Sequence, residues 1–204
     1  MANIKAVVFD LYGTLIHITN EIRPYSQLFS RMSIENSEES KQARRIAMTE
    51  SFDSLSAYVK KIKPESKIDL SLYEREIGKE KSSVRIFSET KKVLRELRKR
   101  EIKVGLISNL ASPYKSPFYE FGLEKYFNEV IFSCDVGFRK PEKEIYQIMI
   151  ERLGVNSKEI LMTGDKVFAD VDGPKSVRMN AVHLDRKNNS IDSIASLEGI
   201  FNYL

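Results

Sequence analysis

The chain has 204 residues, enough for one domain with an insertion or two small ones, and enough to bury a sizeable core. Apolar residues make up 42% and charged residues 30%, which excludes a disordered chain; Lys and Arg exceed Asp and Glu by only 33 to 29, suiting an anionic small molecule rather than nucleic acid. Cys134 is the only cysteine, so no internal disulfide forms, and "MANIKAVVFD" lacks a secretory leader's charged and apolar regions; with no apolar run of membrane-spanning length, a cytoplasmic setting is expected.

The first expected element is a strand over Ile4–Phe9, which delivers Asp10 to its end, with Gly13 and Thr14 just beyond. From Ile18 to Ser83 only helical patterns follow. Tyr25, Leu28, Phe29 and Met32 share a face behind Pro24; Phe52, Leu55, Val59 and Ile62 do so before Pro64; Leu72 and Ile77 mark a third helix after Asp69. The expected division is therefore a core over 1–17 and 84–204, with a helical cap over 18–83. In "SETKKVLRELRKRE" Ser88 is a capping candidate, and Val93, Leu94 and Leu97 turn inward beneath a solvated basic face.

Strands are then expected over Val104–Ser108, Glu129–Ser133, Ile160–Thr163 and Ala181–Leu184, most of them apolar at consecutive positions, as strands covered on both faces are. The intervening "PEKEIYQIMIERLG" reads as a helix with Pro141 at its first position, an apolar face of Ile145, Ile148, Met149 and Leu153, and Gly154 as its stop. Strands alternating with helices imply a Rossmann-like, doubly wound parallel sheet of the α/β class.

Ligands bind such sheets outside the carboxyl ends of the strands. Those ends deliver Asp10, then Ser108 and Asn109, then Lys140, then Asp165, with Asp170 and Asp172 beyond it. Carboxylates without neighbouring histidines call for a hard divalent cation such as Mg2+. A lysine and a hydroxyl facing that cation cradle an anion, and a carboxylate held ionised between metal and lysine can act as a nucleophile. Asp172 reads as solvated, His183 as structural and His17 as a hinge residue.

The ordered segments "FDLYGTL", "ISN", "RKPEKEIY" and "GDKVFAD" resemble the four motifs of the haloacid dehalogenase superfamily of hydrolases, over nearly the whole chain. The resemblance implies Asp10 as nucleophile, with Ser108 and the Asn109 backbone holding the transferring group and Lys140 balancing its charge. It further implies Mg2+ held by Asp10, the Tyr12 carbonyl and Asp165, with Asp170 in support, Thr14 orienting Asp10, and a cap that selects a small anionic substrate.

Phosphatases of that superfamily carry a second aspartate, their acid–base partner, where this chain has Tyr12. An ordinary tyrosine, with a pKa of about 10, shuttles protons poorly near neutrality. The 2-haloacid dehalogenases use tyrosine there, because halide leaves without a proton. They work without metal, however, and their fourth motif resembles Ser-Asn-x-x-Asp rather than "GDKVFAD". Arg23, at the cap entrance, is a candidate carboxylate or halide binder. The favoured expectation is a Mg2+-dependent phosphatase, with a 2-haloacid dehalogenase second and a non-catalytic phospho-ligand or partner-binding module third. A further departure is Arg178, which stands where the superfamily often has glycine, with Asn180 expected to take the left-handed turn.

Overall fold

The structure, a computed structural model, describes residues 3–34, 37–187 and 192–204, so the first two positions of the N-terminal stretch lie outside it. Its centre is β1 (Ala6–Phe9), every residue of which is fully buried. Alternation sends these side chains to opposite faces. Val7 and Phe9 join Val93, Leu94 and Leu97 of α5 (Thr90–Lys99), whereas Ala6 and Val8 join Ile145, Tyr146 and Met149 of α8 (Lys143–Leu153). The expected basic face of α5 is thus its solvated side.

β1 pairs in parallel with β4 (Lys103–Ser108) on one side and β6 (Ile160–Gly164) on the other. Beyond β4 lies β5 (Glu129–Phe132), and beyond β6 lie β7 (Asn180–Leu184) and β8 (Ser193–Ile194), giving the order β5-β4-β1-β6-β7-β8. The chain winds outward from β1 and then returns to its other side, so the crevice at the carboxyl end of β1 is the switch point. This is the expected doubly wound parallel sheet.

Between β1 and α5 the chain forms a second, two-stranded sheet from β2 (Ile16–Ile18) and β3 (Val84–Ile86), paired antiparallel with Ile16 opposite Ile86 and Ile18 opposite Val84. Among the described residues, four helices lie between them: α1 (Pro24–Arg31), α2 (Ser37–Thr49), α3 (Leu55–Ile62) and α4 (Ser71–Ser82). They share an apolar cluster in which Leu28, Phe29, Tyr58, Val59 and Ile77 are buried, with Ala111 of the core packed into it.

Local details depart from expectation. Phe52 precedes α3, whose cap is Ser54, its side chain accepting from the Ala57 N–H. In α4 the buried face is Tyr73, Ile77 and Glu80, and Leu72 is exposed. Ser88 does not cap α5; its hydroxyl donates to Glu89 at 3.4 Å. Pro141 stands outside α8, because the Glu142 N–H closes a turn onto the Arg139 carbonyl at 2.8 Å and the helix starts at Lys143. Ser133 opens α7 (Ser133–Val136) instead of ending β5, and its hydroxyl accepts from the Leu110 N–H. The left-handed residue before β7 is Arg178 (φ 67°), since Asn180 already pairs as strand opposite Leu161.

Candidate active site

Asp10 continues the line of β1, its N–H donating to the Thr163 carbonyl of β6 at 3.0 Å, and its side chain is almost wholly buried. The chain then folds back on itself: the Leu15 and Ile16 N–H groups both donate to the Leu11 carbonyl. Gly13 makes this turn with φ 87°, and a Cβ there would lie 2.6 Å from Asp165 Oδ2. Only glycine meets both conditions. The Gly-Thr pair after Asp10 therefore lets two acidic strand ends approach each other.

β6 supplies the opposite wall. Beyond Gly164, where a Cβ would fall 2.3 Å from Asp170 Oδ2, come Asp165 and a π-helical turn over Val167–Asp172. Asp170 Oδ2 accepts from the Lys166 N–H at 3.0 Å, which folds the turn back onto its own start. His183 Nε2 lies 3.2 Å from the Asp165 carbonyl, a structural role as expected. Asp172 is exposed, also as expected.

Lys140 arrives from the β5 side. Its Nζ donates to Asp10 Oδ1 at 2.7 Å and to Asp170 Oδ1 at 2.6 Å, and its side chain is 2% exposed. Asn109 fixes the lysine's backbone from both sides: its side-chain NH2 donates to the Lys140 carbonyl, and its Oδ1 accepts the Lys140 N–H, each at 2.8 Å. Ser108, at the end of β4, is buried beside them. The Thr14 hydroxyl reaches Asp10 Oδ2 at a long 3.4 Å. The structure thus gathers Asp10, Asp165 and Asp170 at one point, with Lys140 in direct contact with two of them.

The electrostatics are uneven. Asp10, Asp165 and Asp170 each present an oxygen within 4.8 Å of the others. Burial pushes the Asp10 carboxyl well above the usual carboxylate range; Lys140 opposes this, while Asp170 and Asp165 reinforce it. Burial works against the Lys140 ammonium, but its two carboxylate partners outweigh that and hold it charged. Asp165 Oδ2 pairs with Lys166 Nζ at 2.8 Å, yet Asp165 Oδ1 is buried with no hydrogen-bond partner. A buried carboxylate oxygen left unpaired beside two further acids fits a divalent cation.

Tyr12 turns its side chain away from the acids. Its hydroxyl donates to the Tyr114 carbonyl at 2.9 Å, and its pKa is driven upward by burial, then by Glu120 and Glu80. The Tyr114 hydroxyl donates in turn to the buried Glu80 of α4, whose other oxygen accepts the Ile22 and Arg23 N–H groups at 2.7 and 2.8 Å. Arg23 itself points outward, paired with Glu21 at 2.8 Å. His17 stacks on Phe87 at 4.3 Å, within the paired β2–β3 connections.

Sequence reasoning missed Arg186, which binds the site's turn from behind. Its guanidinium donates to the Thr14 carbonyl at 2.7 Å and more weakly to the Gly13 carbonyl at 3.4 Å; it pairs with Glu89 at 2.6 Å and lies over the Phe87 ring. Nothing in "HLDRKNN" marks it. Glu80 did leave a signal: it falls three residues after Ile77 and seven after Tyr73, a charge on the apolar face of its helix.

A haloacid dehalogenase-like hydrolase family model matches residues 4–178. Glyceraldehyde 3-phosphate phosphatase of Methanothermobacter thermautotrophicus is 29% identical over 100 residues, 48% of this chain and 44% of that one. The match thus spans less than half the relative's length. Pyrophosphatase PpaX of Oceanobacillus iheyensis is 26% identical over 85% of this chain and 80% of its own. Among solved structures, a HAD phosphatase from Thermococcus onnurineus is 27% identical, with a TM-score of 0.68 over 98% of this chain and 97% of that one. A Rossmann-like parallel sheet whose strand ends gather these motifs, together with a family match across most of the sequence, makes this chain a member of the haloacid dehalogenase-like hydrolases.

Proposed function

We propose that the protein is a Mg2+-dependent phosphatase acting on a small phosphorylated metabolite. The observation that carries this reading is the acidic cluster of Asp10, Asp165 and Asp170, with its unpartnered buried oxygen, set against Lys140. Oxygen donors without histidine suit Mg2+, which Asp10, Asp165, Asp170 and the Tyr12 carbonyl would hold. Once bound, the ion neutralises phosphate charge. Asp10 attacks phosphorus in line and takes the phosphoryl group, and water later releases it. Lys140 balances the charge of the transferring group, the Ser108 hydroxyl and the Asn109 N–H donate to its oxygens, and Thr14 orients Asp10.

Helices α1–α4, over 18–83, serve in this reading as the cap. A cleft of about 450 Å3 opens beside Tyr114, with Glu21, Arg23, Tyr25 and Arg44 on the cap side. The phosphatase names of the relatives agree with phosphate chemistry. The test is hydrolysis of para-nitrophenyl phosphate: turnover is expected to require Mg2+ and to vanish in Asp10→Asn. Activity indifferent to a chelator overturns the reading. Tyr12 favours the dehalogenase alternative, for which chloride release from 2-chloropropionate without metal is the discriminating result; the acidic form of "GDKVFAD" stands against it.

A further inference from the structure

The Tyr12 side chain fills the place of an acid–base group without being positioned as one. Its proton lies on the Tyr114 carbonyl, and the Tyr114 proton lies on Glu80. Glu80 is itself saturated by the Ile22 and Arg23 N–H groups. Lys140 directs its protons at Asp10 and Asp170, and Asp170 also accepts from the Lys166 N–H. Lys166, mostly exposed, holds Asp165. The side chains of Tyr12, Lys140 and Lys166 are thus each committed to a partner, as His183 is to the Asp165 carbonyl and the Tyr146 hydroxyl to the Ala169 carbonyl, and none of these five is left to meet a departing oxygen.

We propose that this enzyme is confined to phosphoryl donors whose leaving group departs as a stable anion: acyl phosphates, phosphoric anhydrides and aryl phosphates, rather than phosphate esters of ordinary alcohols. The inference rests on the phosphatase reading and names its substrate class. In the first step an Asp10 oxygen bonds to phosphorus, the bond to the leaving oxygen breaks, and both electrons leave with that oxygen, unprotonated by the protein. In the second step water bonds to the same phosphorus and the bond to Asp10 breaks, regenerating its carboxylate, while the water's proton passes to the released phosphate or to solvent. The same missing base slows the second step, so phosphorylated Asp10 accumulates.

The test compares aryl phosphates graded in leaving-group acidity, acetyl phosphate and ethyl phosphate, each with Mg2+. A positioned acid–base group contributes roughly 10²- to 10⁴-fold. Ethyl phosphate is therefore expected to be turned over at least about 10²-fold more slowly than para-nitrophenyl phosphate, beyond the intrinsic difference in reactivity, with kcat/KM falling steeply along the aryl series. Acid quenching during turnover of 32P-labelled acetyl phosphate is expected to trap label on the protein, and none on Asp10→Asn. Tyr12→Asp is expected to narrow the ethyl-to-aryl gap at least about tenfold; should that variant not fold, the series on the native chain decides alone. A flat series overturns the proposal while leaving the phosphatase reading intact, and so does ethyl phosphate turnover that disappears in Glu21→Gln, which would assign the acid to the cap entrance. No turnover of any member, para-nitrophenyl phosphate included, overturns both.

Discussion

Lys140 sets one positive charge between two buried carboxylates, 2.7 Å from Asp10 and 2.6 Å from Asp170. In the sequence it looks like a surface lysine before a proline, and only the motif order singles it out. Removing one partner from a buried ion group costs about 3–5 kcal/mol when the others stay charged. Lys140→Met is expected to abolish turnover and to destabilise the fold in a pH-dependent way. Without the ammonium, burial keeps the folded-state pKa of Asp10 above its unfolded value. Its contribution is then fullest at low pH and is lost as pH rises through the folded value. Urea denaturation should show a larger deficit at pH 8 than at pH 5, whereas a constant deficit would mean the carboxylates are solvated.

Arg186 acts on an element rather than on a single residue, because it holds the turn that follows β1. Arg186→Met removes a donor from the Thr14 carbonyl and the cation from Glu89, and a loss of about 2 kcal/mol is expected. Glu89 adds a pH signature. Burial raises its pKa, but the hydrogen bond from Arg186 and its charge outweigh this and hold it below the usual range. Its contribution is present above the ordinary glutamate range and is lost as pH falls; thermal melts at pH 7 and pH 4 should differ less in the variant. The main elements were readable because the apolar runs of β1, β4 and β6 are short and bounded by turn residues, as strands covered on both faces are. β2 and β3 were not, because "IHI" and "VRI" are three residues each, with no period to detect. The Arg178 turn was misplaced for a different reason: sheet pairing claims Asn180, and a local preference for asparagine in left-handed turns yields to that.

For the whole molecule, the paired acids make ligand binding and stability one quantity. A ligand that binds only the folded state stabilises it by about 2.7 kcal/mol at a hundredfold excess over its dissociation constant. Mg2+ is expected to raise the melting temperature of the native protein, to do so more above the range in which Asp10 ionises, and to have little effect on Asp165→Asn. Equal shifts in both proteins would place the ion elsewhere. The candidate cluster was legible because chemistry constrains what strand ends deliver, and Asp10, Asp165, Asp170 and Lys140 do converge. The second layer, Tyr114, Glu80 and Arg186, was largely hidden, because its roles depend on which distant segments meet.

Because Ile18 and Val84 sit opposite each other in the β2–β3 pair, the helical insertion leaves the core and returns to it at a single place. In backbone connectivity, everything between them is one closed loop, joined to the core otherwise through side chains such as Glu80 on Tyr114. Replacing it with a two-residue hairpin turn would leave every strand of the parallel sheet in register, and a foreign helical module could be spliced in at the same point. The register of the parallel sheet is therefore set without reference to what is inserted at that junction.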